Sequence, residues 1–155
     1  MVEMKSESYT ITFGIIGAGR IGKLHADNLL SHVKGAKLKT VTDPFLDEEW
    51  AASRNIPVTG KDHRIMLDDP EIDAILIGSP SPEHAAQMIE CARAGKHIFC
   101  EKPIALDPDI IRNALAEVEK SGVKLQVGFN RRFDPNFAAG QQQVASGALG
   151  DPHII

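Results

Sequence analysis

Ile11-Thr12-Phe13-Gly14-Ile15-Ile16-Gly17-Ala18-Gly19-Arg20-Ile21-Gly22, then a helical pattern, a second apolar run at 36–42 and Asp43, decides the fold. An apolar run that breaks into GxGxxG and continues as a helix is the first strand, turn and helix of a dinucleotide-binding unit. Gly17 permits the tight turn off the strand, Gly19 lets the backbone approach a pyrophosphate, and Gly22 allows the helix to pack on the strand. Arg20 and Ile21 open that helix, whose unpaired N–H groups and positive dipole end favour an anion. Asp43 follows at the roughly twenty-residue spacing of the acid that accepts hydrogen bonds from the adenosine ribose. A carboxylate there repels a 2′-phosphate, and Pro44 and Phe45 supply no arginine to receive one, so NAD is favoured over NADP.

The remaining composition narrows the class. At 155 residues and 43% hydrophobic content the chain can bury a core of its own. A net charge of -4 argues against nucleic acid or an anionic membrane as partner, and the only adjacent arginine pair is Arg131-Arg132. Residues 1–8 are polar, and no apolar stretch is long enough to span a bilayer, so a cytoplasmic protein is expected. Cys91 and Cys100 lack CxxC spacing and read as small buried hydrophobes. The six histidines show no paired-ligand spacing, and no metal is expected.

Strand-like and helix-like segments alternate, the pattern of a doubly wound parallel α/β sheet. Expected strands are 11–16, 36–42, 57–59, 74–78, 97–100 and 124–128. One helix is read with Ser81 as N-cap, Pro82 at its first position, an apolar face of Ala85, Met88, Ile89 and Ala92, and Gly95 as its stop. Another opens at Asp107-Pro108, presents Ile111, Leu115 and Val118, and closes at Gly122. The strand pattern ends near Asn130. Residues 1–128 are therefore expected to form a Rossmann-type domain, and 129–155 a linker helix with the start of a second domain.

Glu101-Lys102-Pro103 directly follows the 97–100 strand. Ligands of open α/β sheets bind beyond the carboxyl ends of the strands, which places Lys102 beside the nicotinamide end of a bound dinucleotide. There it could hold or relay the proton of a substrate hydroxyl during hydride transfer, although most lysines are simply solvated.

Three segments together resemble one family. They are Gly17-Ala18-Gly19-Arg20-Ile21-Gly22-Lys23-Leu24-His25, Ser79-Pro80-Ser81-Pro82-Glu83-His84, and the stretch Gly95 to Leu106 that contains Glu101-Lys102-Pro103. This ordered set resembles the glucose-fructose oxidoreductase, inositol dehydrogenase and rhizopine-catabolism (Gfo/Idh/MocA) family of NAD(P)-dependent oxidoreductases. Val127-Gly128-Phe129-Asn130-Arg131-Arg132-Phe133-Asp134-Pro135 is most similar to the inositol 2-dehydrogenases. The resemblance implies hydride transfer between a polyol or sugar hydroxyl and NAD. It also implies cofactor contacts at Gly17, Gly19, Arg20, Ile21, Gly22, Asp43, Ser79, Pro80, His84, Glu101 and Lys102. Lys102 would be the catalytic lysine, working with an aspartate and a histidine of a second α/β domain. The chain ends at the start of that domain, and His153 lies in the wrong segment to be the missing histidine. The expectation is a truncated chain that binds cofactor without turnover, and whose apolar face, which its second domain would cover, leads to association, for instance as a homo-oligomer, or to poor solubility.

Several residues keep alternative readings. His25 shares a helical face with Ile21 and Leu24 and reads as a packed, hydrogen-bonded core histidine before a catalytic one. His84 could contact the cofactor or serve a surface or capping role. The Lys102-Pro103 peptide could be cis. Arg131 and Arg132 could face a polyol, the cofactor or solvent. A non-catalytic NAD sensor or regulatory protein such as a repressor on the same fold, or a binder of FAD or S-adenosylmethionine, also stands, though the last leaves Glu101-Lys102-Pro103 unexplained.

Overall fold

The computed structural model describes residues 10–151 and 153. Six strands form one sheet: β1 (Ile11–Ile16), β2 (Ala36–Thr42), β3 (Val58–Gly60), β4 (Ala74–Ile77), β5 (His97–Cys100) and β6 (Leu125–Val127). Their order is β3-β2-β1-β4-β5-β6 and every pairing is parallel. The order reverses between β1 and β4, which makes the switch point of a doubly wound sheet and opens a crevice beyond their carboxyl ends.

Period-two alternation assigns the core to two layers. On β4 every residue is buried. Ile75 and Ile77 pack with Ile16, Met88, Cys91 and Ala114 on one face. Leu76 packs with Ile15, Ala26, Leu29 and Val41 on the other. A strand covered on both faces has no solvent side, which is why Ala74–Ile77 reads as a continuous apolar run. Helices α1 (Arg20–Ser31) and α2 (Glu48–Ser53) supply one layer, and α4 (Ser81–Arg93) and α5 (Pro108–Ser121) the other, to which the one-turn α3 (Arg64–Leu67) adds Met66. A 3-10 turn (Asn130–Phe133) and α6 (Pro135–Ala145) follow β6, and neither buries a residue.

The expected strands are all present, with β3 one residue later than expected and β6 and β4 trimmed. Two helix readings need correction. The N-cap of α4 is Pro80, with extended backbone and no capping side chain, so Ser81 and Pro82 are the first two helical residues. On α5 the buried positions are Ala114 and Val118, while Leu115 is 41% exposed. The small Ala114 permits close packing of α5 on α4, which moves the buried position from Leu115 to Ala114. The other end signals stand: Asp107 accepts the Asp109 N–H at 2.7 Å, and Gly122 closes α5 at φ +68°.

Lys96 is a structural residue that its sequence did not betray. It is 8% exposed, and its ammonium donates to the Asp69 carbonyl at 2.6 Å and the Ile72 carbonyl at 2.9 Å, tying the segment before β4 to the start of β5. Lys96→Met keeps the stem but strands the Ile72 carbonyl, the Asp69 carbonyl still accepting the Ile72 N–H at 3.2 Å, and is expected to cost about 2 kcal/mol, read as a Tm lower by about 4–8 °C in a thermal melt.

Both cysteines are free and buried, and burial pushes each thiol up to about 12. Because the folded chain retains protons that the unfolded chain loses near pH 8.5, stability should decline as pH rises from about 8.5 toward 12. Iodoacetamide at pH 8 is expected to label neither cysteine until urea unfolds the chain, with mass spectrometry as the readout.

Candidate functional site

The β1–α1 turn is held by its neighbours. The Gly17 N–H donates to the Thr42 carbonyl at 2.8 Å. Gly17 has φ +91°, and a Cβ there would meet Ser79 N at 2.6 Å and Gly78 C at 2.7 Å. A Cβ on Gly22 would run into the Gly17 carbonyl oxygen, with Gly17 C at 2.9 Å. Gly19 differs from both: a Cβ on it meets nothing within 4 Å, and its φ of -69° suits any residue. The protein itself therefore requires glycine at positions 17 and 22, while at 19 only something outside the chain would.

Asp43 lies at the carboxyl end of β2, across this turn. One carboxylate oxygen accepts the Ala18 N–H at 2.7 Å and the other accepts the Phe45 N–H at 2.8 Å. Each oxygen keeps a free lone-pair direction, so the group is oriented by the backbone and can still accept a diol.

A cavity of about 710 Å³ opens over the switch point. Of the expected contact residues, Gly17, Gly19, Arg20, Ile21, Asp43, Ser79 and Pro80 line it. The reading from sequence missed Thr42, Phe45, Lys61, His63, Glu83 and Gln87 on the same wall. Position after a strand could have flagged Lys61 and His63, since both follow the carboxyl end of β3. Thr42 is 1% exposed, and its hydroxyl has no partner among the described residues. Phe45 is 94% exposed on a turn pinned by the Asp43 carboxylate, an apolar ring at the edge of the cavity.

Lys102, Gly22, His84 and Glu101 do not line this cavity. Lys102 instead borders a second one of about 410 Å³, with Phe129, Asn130, Arg131 and Arg132. Its ammonium has no partner among the described residues. Arg131 pairs with Asp134 at 3.2 Å and lies over the Phe137 ring, while Arg132 is exposed. The Lys102-Pro103 peptide is cis. His84 is 1% exposed, with its ring nitrogens 2.8 Å from the Pro103 carbonyl and 2.7 Å from the Ser79 carbonyl. It is thus neither a surface group nor a cap: it braces the Lys102 loop against the loop that floors the large cavity. His25 is half-buried rather than a core residue, and Leu24 beside it is 50% exposed. Its Nε2 lies 2.8 Å from the Glu101 carboxylate, and its ring meets Phe99 edge-on. No group of three or more His, Cys, Asp or Glu that could hold a metal occurs among the described residues. No described helix is long and apolar enough to cross a membrane.

A parallel sheet in this order, a glycine turn at its switch point and an acid at the next strand end define a Rossmann-type dinucleotide-binding domain. The model of the Gfo/Idh/MocA oxidoreductases, described as an oxidoreductase family with an NAD-binding Rossmann fold, matches residues 11–129. The chain belongs to this family and is an NAD-binding oxidoreductase domain. It is 49% identical over 147 residues to the uncharacterized oxidoreductase YrbE of Bacillus subtilis, a match that covers 94% of this chain and 43% of that protein. It is 38% identical over 144 residues to the myo-inositol 2-dehydrogenase of Thermotoga maritima, covering 92% of this chain and 43% of that one. A scyllo-inositol dehydrogenase of Lactobacillus casei, solved with bound NAD(H) and scyllo-inositol, superposes with a TM-score of 0.85 at 36% identity. That match covers 92% of this chain and 43% of the other. The chain thus spans a little under half the length of these relatives.

Proposed function

We propose that the chain is the NAD-binding portion of a dehydrogenase that moves hydride between a hydroxyl of an inositol-like polyol and NAD, with Lys102 in the proton relay. The observation that carries the cofactor part is Gly19, where the fold leaves open space that a side chain could occupy. The residues fit the group. Gly17, Gly19 and the first amides of α1 would receive the pyrophosphate. Asp43 would accept the ribose hydroxyls, and Phe45 would cover the purine. NAD accepts or returns the hydride at its nicotinamide ring when bound. Lys102, with its side chain as the neutral amine, would accept a hydrogen bond from the substrate hydroxyl and take its proton as the carbonyl forms, becoming the ammonium, while Arg131 and Arg132 border the same space. The polyol class rests on the inositol dehydrogenases among the relatives.

Calorimetric titration with NAD tests the reading. Saturable binding is expected, with a Kd on the order of 10–100 μM, and weaker binding of NADP. Asp43→Ala should weaken NAD by roughly 10–100-fold, the loss of charge-assisted bonds of about 1.5–3 kcal/mol. Gly19→Ala should leave Tm within about 2 °C, since its conformation suits alanine and an Ala in place of an N-cap Gly costs about 0.5 kcal/mol. It should still weaken NAD at least tenfold by obstructing the pyrophosphate. A Gly19→Ala chain that binds NAD as wild type does would remove the ligand argument.

A further inference from the structure

We infer that His25 is a positioning residue for Lys102, acting through the Glu101 carboxylate; the inference rests on Lys102 being the proton-relay lysine. Glu101 immediately precedes that lysine, and its side chain is 15% exposed. Three elements fix the carboxylate. From α1, His25 Nε2 lies 2.8 Å from Oε1. From its own loop, the Lys102 N–H donates to Oε2 at 3.3 Å. From the end of β6, Gly128 approaches so closely that a Cβ on it would lie 3.2 Å from the carboxyl carbon and both oxygens. His25 is fixed in turn by the edge of the Phe99 ring on β5, 5.3 Å between centroids.

This arrangement has a consequence for the relay. Lys102 is exposed and its ammonium has no partner among the described residues, so its direction depends on the backbone that carries it. That backbone is braced on one side by His84 through the Pro103 carbonyl and on the other by Glu101. The Glu101 brace runs to α1, the helix whose first turn opens the dinucleotide cavity. His25 therefore ties the lysine to the cofactor-bearing helix, so that the two partners of the reaction share one frame. Among the described residues Glu101 is the titratable group that His25 meets. Lys102, Arg131 and Arg132 are the charges that border the adjoining space, and Phe99 and Gly128 bring none.

The test follows amide and imidazole signals of this chain by NMR through a pH titration. The Lys102 amide proton is expected to shift in step with protonation of the His25 ring, because ring and amide share one carboxylate. The coupling should vanish in Glu101→Gln and in His25→Gln, while thermal melts show that both remain folded. A Lys102 amide that stays flat while His25 titrates, or that still follows it in Glu101→Gln, overturns the inference. NADH calorimetry on His25→Gln should give an affinity within about twofold of wild type. In the enzyme joined to a substrate domain, kcat should fall about tenfold with KM for NAD unchanged. Failure of the wild-type chain to bind NADH would count against the cofactor reading and leave the NMR outcome to judge the positioning role by itself.

Discussion

Gly22→Ala is expected to lower the stability of the folded chain by at least about 3 kcal/mol, a Tm drop of about 6–12 °C. A methyl on residue 22 would collide with the carbonyl of Gly17, a backbone group with nowhere to retreat. Gly17 is hemmed by Ser79 and Gly78 and bonded through its N–H to Thr42. Relief must come from moving α1 away from β1. That would disturb Ile15, Ala26 and Leu29, which pack together behind the turn, and would carry the α1 amides off the cavity. Of a total near 5–15 kcal/mol for a domain, this is a large share. Guanidinium unfolding of the variant beside Gly19→Ala gives the decisive contrast: the fold requires glycine at 22 and leaves room for a side chain at 19. Equal stability of Gly22→Ala and wild type would mean that the helix can shift at little cost.

Lys102→Met carries the largest expected effect on activity. If Lys102 has the proposed relay role, its removal from the full-length dehydrogenase should lower kcat by roughly 10²–10⁴-fold. NAD binding should suffer less than in Asp43→Ala, because Lys102 borders the smaller cavity and not the one lined by Asp43. Steady-state inositol oxidation together with NAD calorimetry separates the two outcomes. An unchanged kcat would return Lys102 to the ordinary state of a solvated loop lysine and favour a domain that binds NAD without catalysis.

Much of the fold was legible because its signals are local. The boundaries of β1, β2 and β5 follow from apolar runs that end at Gly17, Asp43 and Glu101, and those breaks are where a parallel strand gives way to a ligand-facing loop. The ends of α5 were legible for the same reason, since Asp107, Pro108 and Gly122 act on backbone groups within a few residues of themselves. The side of a helix that is buried is set from outside the helix, for α5 by its packing on α4, and residues 107–122 do not carry that information. Leu115 was the larger apolar residue, yet Ala114 took the buried position.

The site divides along the same line. Gly17 and Gly22 announce themselves because each answers a demand of backbone geometry, and Asp43 because it stands at the set distance along the chain at which the proposed ribose contact falls. Lys61 and His63 reach the cavity only because β3 lies beside β2, and Phe45 matters only because the Asp43 carboxylate turns its backbone toward the opening. The pairing of His25 with Glu101, 76 positions apart, has no signature along the chain.

The sequence by itself determined the alternation of strand and helix, the glycine turn, the acid that follows it and the place of Lys102 after a strand, since each depends on spacing and residue chemistry within a short stretch. Only the tertiary structure decided that His84 braces two loops, that Lys96 is buried against carbonyls and that His25 steadies the loop of Lys102. Those roles arise from groups brought together by the packing of distant segments, where burial requires each polar atom to find a partner and the partner is chosen by the fold as a whole.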